Sequence, residues 1–176
     1  MVNNMTMKLM MILCGIAVGA IGNVLAQSTL KIGDKAPQFS GKDQDGKPVS
    51  LKDYKGKKIV LYFYPKDQTP GCTAQACNLR DNMDRLTSEG YVVLGVSTDD
   101  EASHREFREK YNLPFTLVAD TDKSITQLYG VWVEKERDGK KFFGTARTTF
   151  IIDAKGVITD IISKVETSDH AAQILN

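Results

Sequence analysis

The residues from Ile59 to Leu86 set the terms for the whole chain. Ile59-Val60-Leu61-Tyr62-Phe63-Tyr64 is a β-branched and aromatic run with no polar face, which reads as a buried strand. Pro65 and Thr69-Pro70-Gly71 interrupt it, and Cys72, Ala76, Leu79, Met83 and Leu86 then recur at helical spacing. Thr69 suits the cap of that helix and Pro70 its first position, so a helix is expected from about Thr69 to Ser88. This turn places Cys72 where backbone N–H groups point outward and the helix dipole favours negative charge. A thiol with a free pKa of about 8.5 becomes a thiolate in such surroundings. Cys72 is therefore the candidate nucleophile.

The remaining elements build a frame around that turn. Gly33-Asp34-Lys35-Ala36-Pro37 leads into a short hairpin around Asp45-Gly46. Tyr91–Ser97 is a second continuous apolar run, expected as a central strand covered on both faces. Asp99 and Asp100 open a helix to about Tyr111, and Pro114 prevents its extension. A strand over Phe115–Ala119 and a short helix over Ser124–Tyr129, closed by Gly130, follow. Val131–Glu134 and Lys141–Gly144 flank Asp138-Gly139, and Thr145–Asp153 and Val157–Ile162 flank Ala154-Lys155-Gly156, so two hairpins are expected. Asp169–Leu175 reads as a terminal helix. The alternation indicates one α/β domain, a thioredoxin-like fold with a central mixed β-sheet flanked by helices and an N-terminal β-hairpin extension.

Residues 1–26 have a different character. Lys8 is their only charge, an apolar run follows from Leu9 to Ile21, and Val24-Leu25-Ala26 offers small residues for cleavage. This is the pattern of a secretory signal peptide, with Gln27 as the mature start and residues 27–176 as the domain. An uncleaved anchor is the alternative, since the 18 residues from Leu9 to Ala26 approach the length that spans a bilayer. Cleavage makes the protein exported, in a Gram-negative cell periplasmic, with no stable membrane association. Cys14 follows Ile12 and Leu13, not the small residues of a lipoprotein site, and is lost with the segment. Removing Lys8 from 23 basic and 22 acidic residues leaves an even balance, and no basic stripe points to nucleic acid.

The mature chain then keeps two cysteines, Cys72 and Cys77, which could form a structural or a redox-active pair. On an ideal helix, positions five apart differ by about 140° and about 7.5 Å, so their Cα atoms lie roughly 8.6 Å apart. A disulfide wants less than about 7 Å. The pair cannot bond unless the first turn unwinds, which favours a cycling bridge over a static one.

Pro65-x-x-x-Thr69-x-x-Cys72 resembles the active-site signature of the peroxiredoxins. The longer run from Tyr62 to Thr73, followed by Ala76-Cys77, resembles the bacterioferritin-comigratory or peroxiredoxin Q branch. The likeness continues through Gly95-Val96-Ser97-x-Asp99, Ser103-His104, Leu113-Pro114-Phe115, Asp120, Tyr129-Gly130-Val131 and Arg147-x-Thr149-Phe150. One departure is Gln75, where that branch usually has glutamate. The resemblance implies a thiol-dependent peroxidase acting on hydrogen peroxide and organic hydroperoxides without metal or organic cofactor. It implies that Cys72 attacks the peroxide, Thr69 orients it, Pro65 shields the sulfur, Arg147 stabilises the thiolate, and Cys77 resolves the sulfenic acid as an intramolecular disulfide. A thioredoxin-like reductant protein would recycle the enzyme, and a monomer or weak dimer is expected.

Other readings stand beside these. A thiol–disulfide oxidoreductase of the thioredoxin type is the nearest rival, although it wants Cys-x-x-Cys at the helix start. A non-enzymatic exported binding domain with a permanent bridge is the other. His104 is expected as a polar residue at a helix start and His170 as a cap, because neither has metal-ligand spacing. Trp132 and Phe107 are expected in the core or at a pocket rim. Lys55-Gly56-Lys57-Lys58 reads as a solvated turn.

Overall fold

A computed structural model describes residues 30–176, and the expected signal segment and Cys14 lie outside the described residues. Ser40–Asp43 (β1) and Pro48–Ser50 (β2) form the first hairpin around Gly46, whose φ of +75° suits glycine. A short 3-10 turn at Leu51–Tyr54 leads to Lys58–Phe63 (β3). Then come Pro70–Asp81 (α1), Met83–Ser88 (α2), Tyr91–Ser97 (β4), Glu101–Tyr111 (α3), Thr116–Ala119 (β5) and Ser124–Leu128 (α4). Trp132–Arg137 (β6) pairs with Lys140–Thr145 (β7) apart from the main sheet, turning at Asp138 and Gly139, both at positive φ. Thr148–Ile152 (β8), Ile158–Ile162 (β9) and His170–Leu175 (α5) complete the chain.

The main sheet runs β2-β1-β5-β4-β3-β8-β9. Strands β3, β4 and β5 are parallel, while β1 and the β8–β9 hairpin add antiparallel edges. Alternate residues of β3 feed two cores. Ile59, Leu61 and Phe63 pack with Phe39, Ile125, Tyr129 and Phe150, under α4 and the N-terminal segment. Val60, Tyr62 and Tyr64 face Cys72, Ala76 and Leu79 of α1, Leu86 of α2, Phe107 of α3 and Ile174 of α5. The α/β layers and the central place of β4 agree with the sequence reading.

Two local expectations are corrected. The helix from Thr69 to Ser88 is two helices, because Asn82 (φ −108°, ψ 15°) leaves helical geometry and its Nδ2 donates to the Asn78 carbonyl at 2.9 Å. His104 does stand in the first turn of α3, with its side chain turned inward, and His170 is no cap but the first residue of α5. Both are fully buried, and Asp169 occupies the cap position of α5. Phe107 is core and Trp132 half-buried.

Gly95 of β4 is where the sheet allows no side chain. It pairs with Tyr62 across the ladder, and a Cβ there would stand 2.7 Å from the Tyr62 ring and 2.8 Å from Leu117. The Tyr62 ring fills that space and stacks on Tyr64 at 5.3 Å between centroids. Gly95→Ala is expected to lower stability by about 1–3 kcal/mol through overpacking. The measure is the urea midpoint at unchanged slope; an unmoved midpoint would mean that Tyr62 has room to retreat.

Candidate active site

The site forms where β3 ends and α1 begins, and the loop between them is held from behind. Asp67, only 5% exposed, accepts hydrogen bonds from Tyr64 Oη at 2.7 Å and Ser103 Oγ at 2.8 Å, and its other polar neighbour is His104 Nδ1 at 2.8 Å. His104 Nε2 lies 3.2 Å from the Val118 carbonyl. The Asp67 N–H donates to Asp99 Oδ2 at 2.9 Å. Gln68 adopts φ +57°, a left-handed conformation costing about 1–2 kcal/mol without glycine. Glu106 and Lys110 of α3 hold its amide at 3.2 and 3.0 Å.

This loop delivers α1 with an open first turn. Thr69 occupies the cap position, as expected, yet its hydroxyl donates to the Lys66 carbonyl at 2.9 Å and makes no side-chain cap. Pro70 has no N–H, and the first N–H of the turn to find a backbone carbonyl is that of Thr73, which donates to Thr69 at 2.8 Å. Among the described residues no side chain caps the Gly71 and Cys72 N–H groups. The Thr69 oxygen, its proton committed to Lys66, keeps its lone pairs as acceptors.

Cys72 is 1% exposed, and its sulfur lies 3.3 Å from Arg147 Nη2. Arg147 was expected on a strand; it lies in the connection between β7 and β8, which frees its guanidinium to reach across to α1. Its Nη1 makes a short hydrogen bond to Gln75 Oε1. Pro65 follows β3 and is half-buried. Cys77 is half-buried on the same unbroken α1, and both thiols are free. A cavity of about 440 Å³ lies at the opposite end of β3, away from Cys72, lined by Leu51, Tyr54, Ile59, Ile152 and Lys155.

The sequence reading missed the roles of Lys135 and Asn78 and the burial of His170 beside Gln75. Lys135 reaches over from β6, where Nζ donates to the Thr145 carbonyl at 2.6 Å. Desolvation, and then the Arg147 charge, lower its pKa, while Cys72 opposes them. His170 lies 3.0 Å from Gln75 Nε2 and 3.0 Å from Thr149 Oγ1. Asn78 fastens α1 to the α5 region, donating to the Ser168 carbonyl at 2.7 Å and accepting from the Ala171 N–H at 2.8 Å. No local pattern marks these residues, because their partners are distant in the sequence.

Burial, and after it the Arg147 guanidinium, hold the His170 imidazole down at about 4. The unfolded chain therefore binds a proton that the folded one refuses between about pH 6.5 and about pH 4, and stability falls as pH drops through that window. Acidification from neutrality to about pH 4.5 is expected to cost wild type about 2 kcal/mol more than His170→Gln. Paired urea midpoints measure it, and equal losses would overturn it.

The AhpC/TSA family matches residues 32–161. Peroxiredoxin Bcp of Escherichia coli is 49% identical over 147 residues, covering 84% of this chain and 94% of that protein. Peroxiredoxin Bcp of Bacillus subtilis is 45% identical with the same coverage. A solved Xylella fastidiosa PrxQ mutant superposes with a TM-score of 0.79 at 31% identity, covering 85% of this chain and 95% of that one. A bacterioferritin comigratory protein of Xanthomonas campestris, solved in trapped intermediate and ligand complexes bearing on its alkyl peroxide reduction, gives 0.74 at 32%, covering 78% and 87%. The open helix end, the sulfur beside a guanidinium and the sheet beneath them thus sit in a chain that belongs to the AhpC/TSA family, in the bacterioferritin-comigratory or peroxiredoxin Q branch of the peroxiredoxins.

Proposed function

We propose that this peroxiredoxin, a thiol-dependent peroxidase, reduces hydrogen peroxide and organic hydroperoxides through Cys72. The observation that carries the assignment is the 3.3 Å approach of Arg147 Nη2 to the Cys72 sulfur at the first turn of α1. The cation and the dipole of α1 both favour a thiolate there.

The thiolate attacks one peroxide oxygen, forming an S–O bond as the O–O bond breaks. Cys72 becomes a sulfenic acid, and the departing alkoxide or hydroxide takes a proton to leave as alcohol or water. The Gly71 and Cys72 N–H groups and Arg147 donate to the oxygens as charge moves onto them, preorganised by the loop behind. Thr69 accepts from the peroxide O–H, and Pro65 keeps bulk water from the sulfur. Cys77 sulfur then attacks the sulfenic sulfur, forming an S–S bond and releasing water. That step requires the first turns of α1 to unwind, because an intact helix keeps the sulfurs apart. A thioredoxin-like dithiol protein takes the oxidising equivalents by exchange. The chemistry needs no metal or organic cofactor.

The same reading places the enzyme outside the cytoplasm as a monomer or weak dimer, with residues 1–26 as a cleaved signal peptide. The support is the apolar run after Lys8 and the small-residue site at Ala26. Among the described residues no helix is long and apolar enough to cross a membrane.

Intact-mass analysis after stoichiometric hydrogen peroxide tests the residue roles. Wild type is expected to lose two hydrogens, Cys77→Ser to gain one oxygen, and Cys72→Ser to change little. Arg147→Gln should form the disulfide on the order of 100-fold more slowly. Equal reactivity of Cys72→Ser and wild type would defeat the assignment. For export, the purified secreted protein is expected to begin at Gln27; a full-length N-terminus in the membrane fraction would favour the anchor.

A further inference from the structure

Arg147 forms no ion pair with any aspartate or glutamate among the described residues. What holds it is the carbonyl end of Gln75, a side chain that is fully buried. The hydrogen bonds then run in one direction only. A guanidinium can only donate, so Gln75 must turn its oxygen to Arg147 and its amide nitrogen to His170 Nδ1. That ring nitrogen must accept, so it carries no proton. The proton sits on Nε2, which donates to Thr149 Oγ1 at 3.0 Å. Arg147 thereby dictates a neutral imidazole of one tautomer two side chains away.

We propose that Gln75 and His170 are positioning residues, a neutral amide–imidazole pair that fixes Arg147 against Cys72 while leaving its positive charge undivided for the thiolate. This rests on the reading of Cys72 as the nucleophile. A carboxylate at position 75 would aim Arg147 equally well, but it would neutralise the cation and repel the sulfur's charge in a site shielded from solvent. The amide separates the two effects: it orients without discharging. His170 completes the device because Gln75 can keep its oxygen on Arg147 only while something accepts from its nitrogen. The charged and titratable groups around the pair are Arg147 and, through it, Lys135 and Cys72, with the Tyr62 ring 6.4 Å from the imidazole. None is an anion that could take over the role of the missing carboxylate while the thiol is protonated.

The test reads the Cys72 thiolate directly, by ultraviolet absorbance and by iodoacetamide alkylation across pH, in a Cys77→Ser background. Gln75→Glu is expected to raise the thiol titration midpoint by about one unit or more and slow alkylation about tenfold on the acid side of the parent midpoint. His170→Leu removes the acceptor and is expected to shift the midpoint the same way. His170→Asn, which keeps an oxygen where Nδ1 stands, should recover most of that loss. A packing role alone would lower stability and leave the thiol titration in place. An unmoved midpoint in Gln75→Glu, or His170→Asn no better than His170→Leu, would overturn the proposal. Gln75→Glu keeps the question answerable if His170→Leu fails to fold. Alkylation does not involve peroxide, so failure of the parent to consume peroxide would count against the peroxidase reading alone.

Discussion

The site depends on a carboxylate that is turned into the protein. A helix end that is to receive oxygen atoms must leave its first N–H groups unpaired, and an uncapped helix start is unstable by about 1 kcal/mol. The segment that would normally cap it therefore has to be fixed by other means. Asp67 supplies them: buried between Tyr64, Ser103 and His104, it ties the loop to β3 and α3 at once. Breaking such a buried pair by removing one partner costs about 3–5 kcal/mol, because the other polar group is left stranded. The interaction is best understood as specifying one conformation of the loop, with Gln68 forced into left-handed geometry as a visible consequence.

On that fixed frame the electrostatics are simple. Two cations, Arg147 and Lys135, approach from the β6–β8 side, the α1 dipole approaches from below, and neutral side chains fill the remaining contacts. Cys72 is buried with the Arg147 guanidinium at hydrogen-bonding distance, and the other end of that guanidinium is held by the buried Gln75 side chain, itself backed by His170.

How much of this the sequence shows depends on the range of the interaction. Elements fixed by local periodicity read directly: β4 spans Tyr91–Ser97 as expected, and the turns at Asp45-Gly46 and Asp138-Gly139 fall where their dihedrals require. The break at Asn82 did not read, because an asparagine side chain competing for a helix carbonyl leaves the apolar spacing untouched. Cys72 and Cys77 could be placed on one helix from spacing alone. The link from Arg147 to Cys72 rested on a resemblance, and the structure brings the two together at 3.3 Å. The burial of His104 and His170 did not read, because their partners, Asp67 and Gln75, stand 37 and 95 positions away. Burial of a polar side chain is legible only once its partner is known.

The attachment of α5 to α1 through Asn78 has a mechanical consequence. Cys77 sits one residue before that fastening, whereas Cys72 sits in the turn that nothing caps. Strain from joining the two sulfurs would travel toward the loose end and stop at the pinned one. Deformation would be confined to a few helical residues, with the seven strands undisturbed. A reactive helix hinged in this way can flex on every turnover without wearing at the framework that supports it.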